Sequence, residues 1–298
     1  MTPSDDIFDE EFIAQLRQLR LLVKRLTARQ SPGLSRSRRV GDGLEFADHR
    51  DYAPGDDVRF IDWPYYARMG KLLVRLFHEH SDAEIALLPD TSASGAPGGQ
   101  DGLFRYTLKT TAALSFVAMA GMDRVSITPF ADRLAAPMRF GRSKENLLAV
   151  LEALSGLTPG GSTALGRSVS EFAAHAEPGT LAIVVSDLLG CGDQLAGALA
   201  TLRARRCDAV VVHLIAPTVA DATLTGPVQL TDAETGETLT LDITPRLIDA
   251  CRAEFERFRT GVERTCAAGG AVYVASRTDQ PFQQLVIETI RRTGGQPR

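Results

Sequence analysis

The chain has 298 residues, of which 44% are hydrophobic, and its 33 basic and 37 acidic residues give a formal net charge of -4. This length fits one large or two small soluble domains with a substantial core, and the mild acidity argues against nucleic acid as the main partner. No apolar stretch is long enough for a bilayer-spanning helix, and the four cysteines lack CxxC spacing, so we expect no membrane span and a cytoplasmic location.

The first predicted element is a helix over residues 9–30. Its apolar side chains Phe12, Leu16 and Leu19 recur at helical spacing, while basic residues cover the other faces. This pattern is typical of a helix that packs one face against a protein core.

A segment rich in charged and aromatic residues follows at positions 45–63 and contains the only tryptophan, Trp63. Pro54 and Gly55 predict a turn within it. Arginines and aspartates stand close enough along the chain to form ion pairs. They are Arg50, Arg59 and Arg68 on one side and Asp56, Asp57 and Asp62 on the other. We interpret the segment as an ion-pair knot that fixes irregular chain against the main domain, and an interface is the alternative interpretation.

From residue 82 onward, short apolar runs alternate with amphipathic segments. The predicted strands are 84–89, 124–130, 181–186, 209–215 and 271–275, with a short edge strand at 134–138. The predicted helices are 104–120, 144–155, 165–176, 194–206, 245–268 and 282–292. This alternation indicates an α/β fold with a doubly wound, mostly parallel sheet covered by helices on both faces. A hairpin is predicted as an insertion near residues 228–241.

Three loops of this predicted sheet carry side-chain oxygen. Asp90, Ser92 and Ser94 follow the first strand, Thr163 precedes a helix, and Asp187 ends another strand. Ligands bind at the carboxyl ends of strands in such sheets, and oxygen-only ligands suit Mg²⁺ or Mn²⁺ better than zinc or copper. The alternative is an Asp/Ser turn that caps the following helix.

The order DxSxS, Thr, Asp resembles the metal-ion-dependent adhesion site of von Willebrand factor type A domains. The resemblance implies that Asp90, Ser92 and Ser94 hold the metal and that Thr163 and Asp187 complete its shell, directly or through water. It further implies a protein-binding module, in which one coordination position remains for an Asp or Glu of a partner.

A second resemblance rests on the string Arg-x-Tyr-x-Pro-Gly-Asp-Asp-x-Arg-x-Ile-Asp-Trp and the Ala-Arg pair that follows it. These residues resemble the signature of the DUF58 family, which places this block before a von Willebrand factor type A-like domain. The signature residues are Arg50, Tyr52, Pro54, Gly55, Asp56, Asp57, Arg59, Asp62, Trp63 and Arg68. The resemblance covers nearly the whole chain and implies an N-terminal part at 1–81 and the main domain at 82–298.

The DUF58 resemblance also implies a role. Members are associated with MoxR-type AAA+ ATPases, so the implied function is a metal-dependent adaptor that acts with such an ATPase on a client protein, in the maturation or assembly of complexes. The implied cofactor is Mg²⁺ or Mn²⁺, and no catalytic residue is expected.

A metal-dependent phosphohydrolase is the rival hypothesis, because a carboxylate after a first strand, here Asp90, can act as a nucleophile. Phosphatases that form an aspartyl-phosphate in this way require a second aspartate two residues later, where this chain has Ser92.

Nucleotide binding is a further alternative, because the stretch 161–168 resembles a P-loop. It has Arg167 in place of lysine and does not follow a strand, which argues against this alternative. We therefore expect a binding module and not an enzyme.

Overall fold

The computed structural model describes residues 7–29, 40–41, 45–54, 56–78, 84–95, 102–141, 143–221 and 225–294. Gly55 of the signature lies outside the described residues. Helices in the described part are α1 (Glu10–Arg29), α2 (Trp63–Met69), α3 (Leu103–Ala120), α4 (Leu147–Ser155), α5 (Leu165–His175), α6 (Gly192–Ala204), α7 (Pro217–Ala220), α8 (Pro245–Gly269) and α9 (Phe282–Gly294). Strands are β1 (Val40–Gly41), β2 (Glu45–Asp51), β3 (Leu73–His78), β4 (Glu84–Pro89), β5 (Arg124–Ile127), β6 (Met138–Phe140), β7 (Leu181–Ser186), β8 (Asp208–Ile215), β9 (Gly226–Thr231), β10 (Thr238–Ile243) and β11 (Val272–Arg277).

The main sheet has six strands in the order β11-β8-β7-β4-β5-β6. All neighbours are parallel except β5 and β6. The first strand of the sheet, β4, lies beside β7, and the chain leaves these two strands toward opposite edges. This is the topological switch point at which doubly wound sheets bind ligands. The predicted fold class, a doubly wound and mostly parallel α/β sheet, is confirmed.

The core lies on both faces of this sheet because alternate side chains of each strand point to opposite faces. Leu87 packs in a cluster with α3, α4 and α9, whereas its neighbours Ala86 and Leu88 pack in a second cluster with α5, α6 and α8. Both faces are buried, which is why the strands read as continuous apolar runs.

Helix α1 belongs to the first of these clusters. Phe12, Leu16 and Leu19 are buried there, and the Phe12 ring lies 5.2 Å from that of Phe282 on α9. The division of the chain at residue 81 stays a prediction, although α1 is packed into the core of the main sheet. Not one of the helices described is both long and apolar enough to cross a membrane.

The predicted edge strand differs from the observed one. It was expected at 134–138, but β6 begins at Met138, and Leu134 makes only an isolated bridge with Phe130. Pro137 has no N–H to donate to a strand ladder, so regular pairing starts after it. The predicted hairpin is confirmed as β9 and β10, which pair antiparallel from Gly226 to Ile243.

The signature segment supplies β2 to a separate three-stranded antiparallel sheet, in the order β1-β3-β2, and α2 lies between β2 and β3 along the chain. Two of the expected ion pairs are present: Arg50 with Asp56 at 2.8 Å, and Arg59 with Asp57 at 2.7 Å. Both are exposed, and the side chain of Arg59 keeps 78% of its accessible surface. The ion pairs therefore lie at the surface and hold local turns.

The prediction that Arg68 also pairs with one of these aspartates is wrong. Asp62 caps α2 by accepting a hydrogen bond from the Tyr65 amide at 2.9 Å, and its other oxygen lies 2.8 Å from His49 Nε2. Both oxygens are used, and Arg68 instead donates to the Pro64 carbonyl at 3.2 Å. Asp62 thereby joins β2 to the start of α2.

The different surroundings of these residues lead to a prediction about stability. Arg59→Ala should leave the melting temperature nearly unchanged, because exposed ion pairs contribute little. Asp62→Ala should lower it by a few degrees, because the variant loses a helix cap and the contact with His49. Thermal unfolding followed by circular dichroism measures both, and equal melting temperatures for the two variants would contradict the prediction.

Candidate metal site

The site is built around Asp90, which follows β4 directly. Its amide donates to the Val185 carbonyl of β7 at 2.8 Å, and its side chain is buried. One carboxylate oxygen accepts the Ser92 amide at 3.0 Å, and the other accepts the Ser186 hydroxyl at 2.7 Å. The carboxylate is therefore held in one orientation at the end of the strand.

The two serines of the DxSxS loop stand side by side. Their hydroxyl oxygens are 2.9 Å apart, and Ser92 is buried whereas Ser94 is exposed. The side-chain oxygens of Asp90 and of these two serines therefore line one loop, from its buried start to its exposed end. The structure thus brings the first three predicted ligands together.

Thr163 lies on a neighbouring loop that is joined to the DxSxS loop through the backbone. The Ala93 amide donates to Gly161 at 2.9 Å, and the Gly160 amide donates to Thr91 at 2.9 Å. Gly161 has a φ of 77°, a left-handed conformation that other residues rarely adopt. These bonds fix the position of the Thr163 loop relative to Asp90.

Asp187 follows β7 and is buried. Strands β4 and β7 are paired so that Pro89 lies opposite Val185, which brings the residues after each strand close together. One Asp187 oxygen accepts the Leu189 amide at 3.1 Å. The fourth and fifth predicted ligands are therefore at the same edge of the sheet as Asp90.

The electrostatics of the site are those of two buried acids. Burial raises the pKa of Asp90, against the lowering effect of its hydrogen bonds from Ser186 and Ser92. Burial, followed by the nearby charge of Asp90, raises the pKa of Asp187 from 3.8 to about 7. Within the described ranges, no lysine or arginine side chain pairs with either carboxylate. A bound cation would supply the missing positive charge.

The donor set fits a hard divalent cation. All the candidate ligands are carboxylate or hydroxyl oxygens. Mg²⁺ and Mn²⁺ bind such oxygens readily, whereas zinc is more often bound by nitrogen or sulfur. Over the residues that the structure describes, no three His, Cys, Asp or Glu side chains form a metal-binding group by themselves. A cation would therefore depend on the hydroxyls of Ser92, Ser94 and Thr163 as well as on the two aspartates.

Sequence reasoning missed two residues that contact the predicted ligands. Ser186 donates to Asp90. Its position next to Asp187 at the end of a predicted strand could have marked it as a site residue. Glu234 accepts hydrogen bonds from the Thr163 hydroxyl at 3.0 Å and from the Thr163 amide at 3.2 Å. No local pattern links Glu234 to a residue 71 positions earlier, so only the folded chain shows this contact.

A cavity of about 160 Å³ opens beside the site, between the loops that follow β4, β7 and β8. Leu103, Leu189 and Phe255 line it together with Ser94 and Asp187. The candidate ligands thus border a hollow with largely apolar walls, which is large enough for a side chain.

The family model described as "Protein of unknown function DUF58" matches residues 48–264. This match covers more than half of the chain and includes the signature residues from Arg50 to Arg68, the DxSxS loop and the β9–β10 hairpin. The chain belongs to the DUF58 family. The family prediction is confirmed, and the sheet topology is that of the predicted von Willebrand factor type A-like fold.

Relatives of this DUF58 protein occur in mycobacteria. Rv1480 of Mycobacterium tuberculosis and Mb1516 of Mycobacterium bovis are each 28% identical to it over 295 residues, which cover 97% of this chain and 92% of theirs. Among solved structures, BatB from Bacteroides thetaiotaomicron is 14% identical with a TM-score of 0.45, covering 72% of this chain and 100% of its own. The VWA domain of SpRpn10 is 10% identical with a TM-score of 0.37, covering 72% and 99%.

The raised pKa of Asp187 predicts how stability depends on pH in metal-free buffer. The folded chain holds this proton more tightly than the unfolded chain, so the folded state loses stability as the pH rises from about 4 to about 7. Asp187→Asn cannot ionise and should flatten this part of the profile. Melting temperatures of both proteins in EDTA across this range measure the difference, and parallel profiles would refute the assignment.

Proposed function

We propose that this protein is a metal-dependent protein-binding adaptor. The observation that carries the proposal is the pair of buried aspartates, Asp90 and Asp187, at the switch point of the sheet, with hydroxyl groups beside them and no basic side chain paired with either in the described part of the chain. Mg²⁺ or Mn²⁺ would be held by these aspartates together with hydroxyls. The full set is Asp90, Ser92, Ser94, Thr163 and Asp187.

The cation would supply a directional bond to an oxygen of another protein. Mg²⁺ prefers six oxygen ligands. Five protein donors leave one position, which a carboxylate from an Asp or Glu of a partner would fill. The neighbouring hollow, lined by Leu103, Leu189 and Phe255, would accept an apolar side chain of the same partner. A polar anchor next to an apolar pocket is a common arrangement at specific interfaces.

The proposed partner is a MoxR-type AAA+ ATPase, with a client protein as the object of their joint action. This part of the proposal rests on the DUF58 resemblance. The signature segment supports a second contact surface, because Trp63, Tyr66 and Met69 of α2 are exposed. Exposed aromatic residues of this kind are enriched at interfaces. The proposed location is the cytoplasm, in keeping with four free cysteines.

The phosphohydrolase hypothesis receives less support. A nucleophilic aspartate must direct one oxygen at the substrate. Both oxygens of Asp90 accept hydrogen bonds, from the Ser92 amide and the Ser186 hydroxyl, and the side chain is buried. These contacts fix the carboxylate in one orientation and still leave lone pairs for a cation, and we therefore favour the binding role.

If the metal site exists, divalent cations should stabilise the fold. At 100 times the dissociation constant, a cation that binds only the native state adds about 2.7 kcal/mol to the free energy of unfolding. Mg²⁺ or Mn²⁺ should therefore raise the melting temperature of the wild type, and Asp90→Ala should abolish this rise. Glu152→Ala, which removes an exposed carboxylate from α4, is the matched control and should keep it.

Differential scanning fluorimetry in chelator-treated buffer, with and without added cation, makes this measurement. An equal rise in the wild type and in Asp90→Ala would show that the cation binds elsewhere.

Partner binding should depend on the same residues. The test is calorimetric titration of a MoxR-type AAA+ ATPase, made with a non-hydrolysed nucleotide and at constant Mg²⁺, because chelation would also strip the ATPase of its own metal. Asp90→Ala should abolish binding, and Thr163→Ala should weaken it about tenfold while the melting temperature without metal stays near that of the wild type. Glu152→Ala should bind as the wild type does. Unchanged affinity in Asp90→Ala would move the interface away from the metal site.

A further inference from the structure

Glu234 is the one acidic side chain that reaches the predicted ligands from outside the six-stranded sheet, as far as the structure describes the chain. It lies in the loop between β9 and β10, and its two oxygens accept the hydroxyl and the amide of Thr163. Its charge acts on both Asp90 and Asp187. The hairpin therefore carries a third carboxylate into contact with Thr163, although the carboxylates of Asp90, Asp187 and Glu234 do not form a metal-binding group by themselves in this structure.

The loop holds Glu234 in a defined position. Asp232 accepts hydrogen bonds from the amides of Glu234 and Thr235, each at 2.8 Å, and the Gly236 amide donates to the Asp232 carbonyl at 2.9 Å. Gly236 has a φ of 74°, which this turn requires and glycine adopts without strain. The turn is thus built so that the side chain at position 234 is presented outward from the hairpin tip.

The rest of the hairpin packs little against the body of the protein. Strands β9 and β10 form a two-stranded sheet of their own, and Leu230 and Leu239 on them are exposed. An isolated two-stranded hairpin is only marginally stable in water. The bonds from Glu234 to Thr163 therefore join the hairpin tip to the loop that precedes α5.

We propose that Glu234 becomes a carboxylate ligand of a cation bound at Asp90 and Asp187, and so takes from within the chain the position that a partner's acidic residue would take. This inference rests on the proposed function. A carboxylate offers about four lone-pair positions, and Thr163 uses two of those on Glu234, so lone pairs remain for a cation. The hairpin acts as a latch: it must release the site before a carboxylate from another protein can bind.

The latch also sets how tightly another carboxylate must bind before it can replace Glu234. A carboxylate tethered to the same chain competes at a high effective concentration, so free carboxylates in solution bind the wild-type site poorly. A partner that also contacts the neighbouring hollow gains enough contacts to displace Glu234. Loss of the Glu234 charge removes this competition and removes one ligand of the cation at the same time.

The test uses Mn²⁺ as the probe and water-proton relaxation as the readout, because relaxation reports both Mn²⁺ affinity and the number of exchanging waters on the bound ion. Glu234→Gln should bind Mn²⁺ about tenfold more weakly than the wild type, since affinity follows the number of charged ligands. Its bound Mn²⁺ should carry one more exchanging water. Added acetate should displace that water in Glu234→Gln and have little effect on the wild type.

Glu237→Gln is the matched control, because Glu237 is an exposed acid of the same hairpin turn. It should behave as the wild type in all three measurements. Unchanged or tighter Mn²⁺ binding in Glu234→Gln, with no additional water, would overturn this inference alone. If the wild type shows no Mn²⁺ binding that Asp90→Ala removes, both the inference and the proposed metal site are overturned. A melting curve of each variant without metal confirms that it is folded.

Discussion

The pairing of β4 with β7 is the constraint on which the rest of the site depends. Because these strands are neighbours and lead to helices on opposite faces, a crevice forms above their carboxyl ends that helices do not cover. Asp90 and Asp187 lie at this crevice because each follows one of the two strands. Two acids far apart in sequence are thereby placed side by side in a buried setting, where their charges oppose each other.

The surroundings of Asp90 reduce this unfavourable charge without removing it. The Ser92 amide and the Ser186 hydroxyl donate to its carboxylate, and backbone bonds join the neighbouring loops into one rigid rim. Burial, followed by the charge of Asp90, raises the pKa of Asp187, and the hydrogen bond from the Leu189 amide only partly offsets this effect. An arrangement that keeps two acids buried without a basic partner sacrifices stability, and in proteins such a sacrifice commonly marks a functional site. This is the physical reason to favour a cation-binding role over a simple helix cap.

The signature segment and the hairpin lie outside the six-stranded sheet, and they illustrate different uses of charge. In the signature segment, Arg59 and Asp57 are only two residues apart, so their ion pair forms within one exposed turn and demands no burial. On the hairpin, Glu234 bonds to a distant loop and so links the hairpin to the sheet edge. The ion pair of Arg59 and Asp57 stabilises a local turn. The bonds between Glu234 and Thr163 connect two parts of the fold, and such a connection is suited to regulation.

The sequence by itself determined most elements of the six-stranded sheet and the candidate ligands. Strand and helix positions follow from local periodicity, and Asp90, Ser92, Ser94, Thr163 and Asp187 could be selected because each stands at the end of a predicted element. Tertiary structure alone decided which of these loops touch and that the ion pairs lie at the surface. It also decided that Asp62 contacts His49 and not Arg68, and that Glu234 reaches Thr163. The reason is that local periodicity is set by neighbours along the chain, whereas contacts between distant segments are set by strand order and packing, which no spacing in the sequence records.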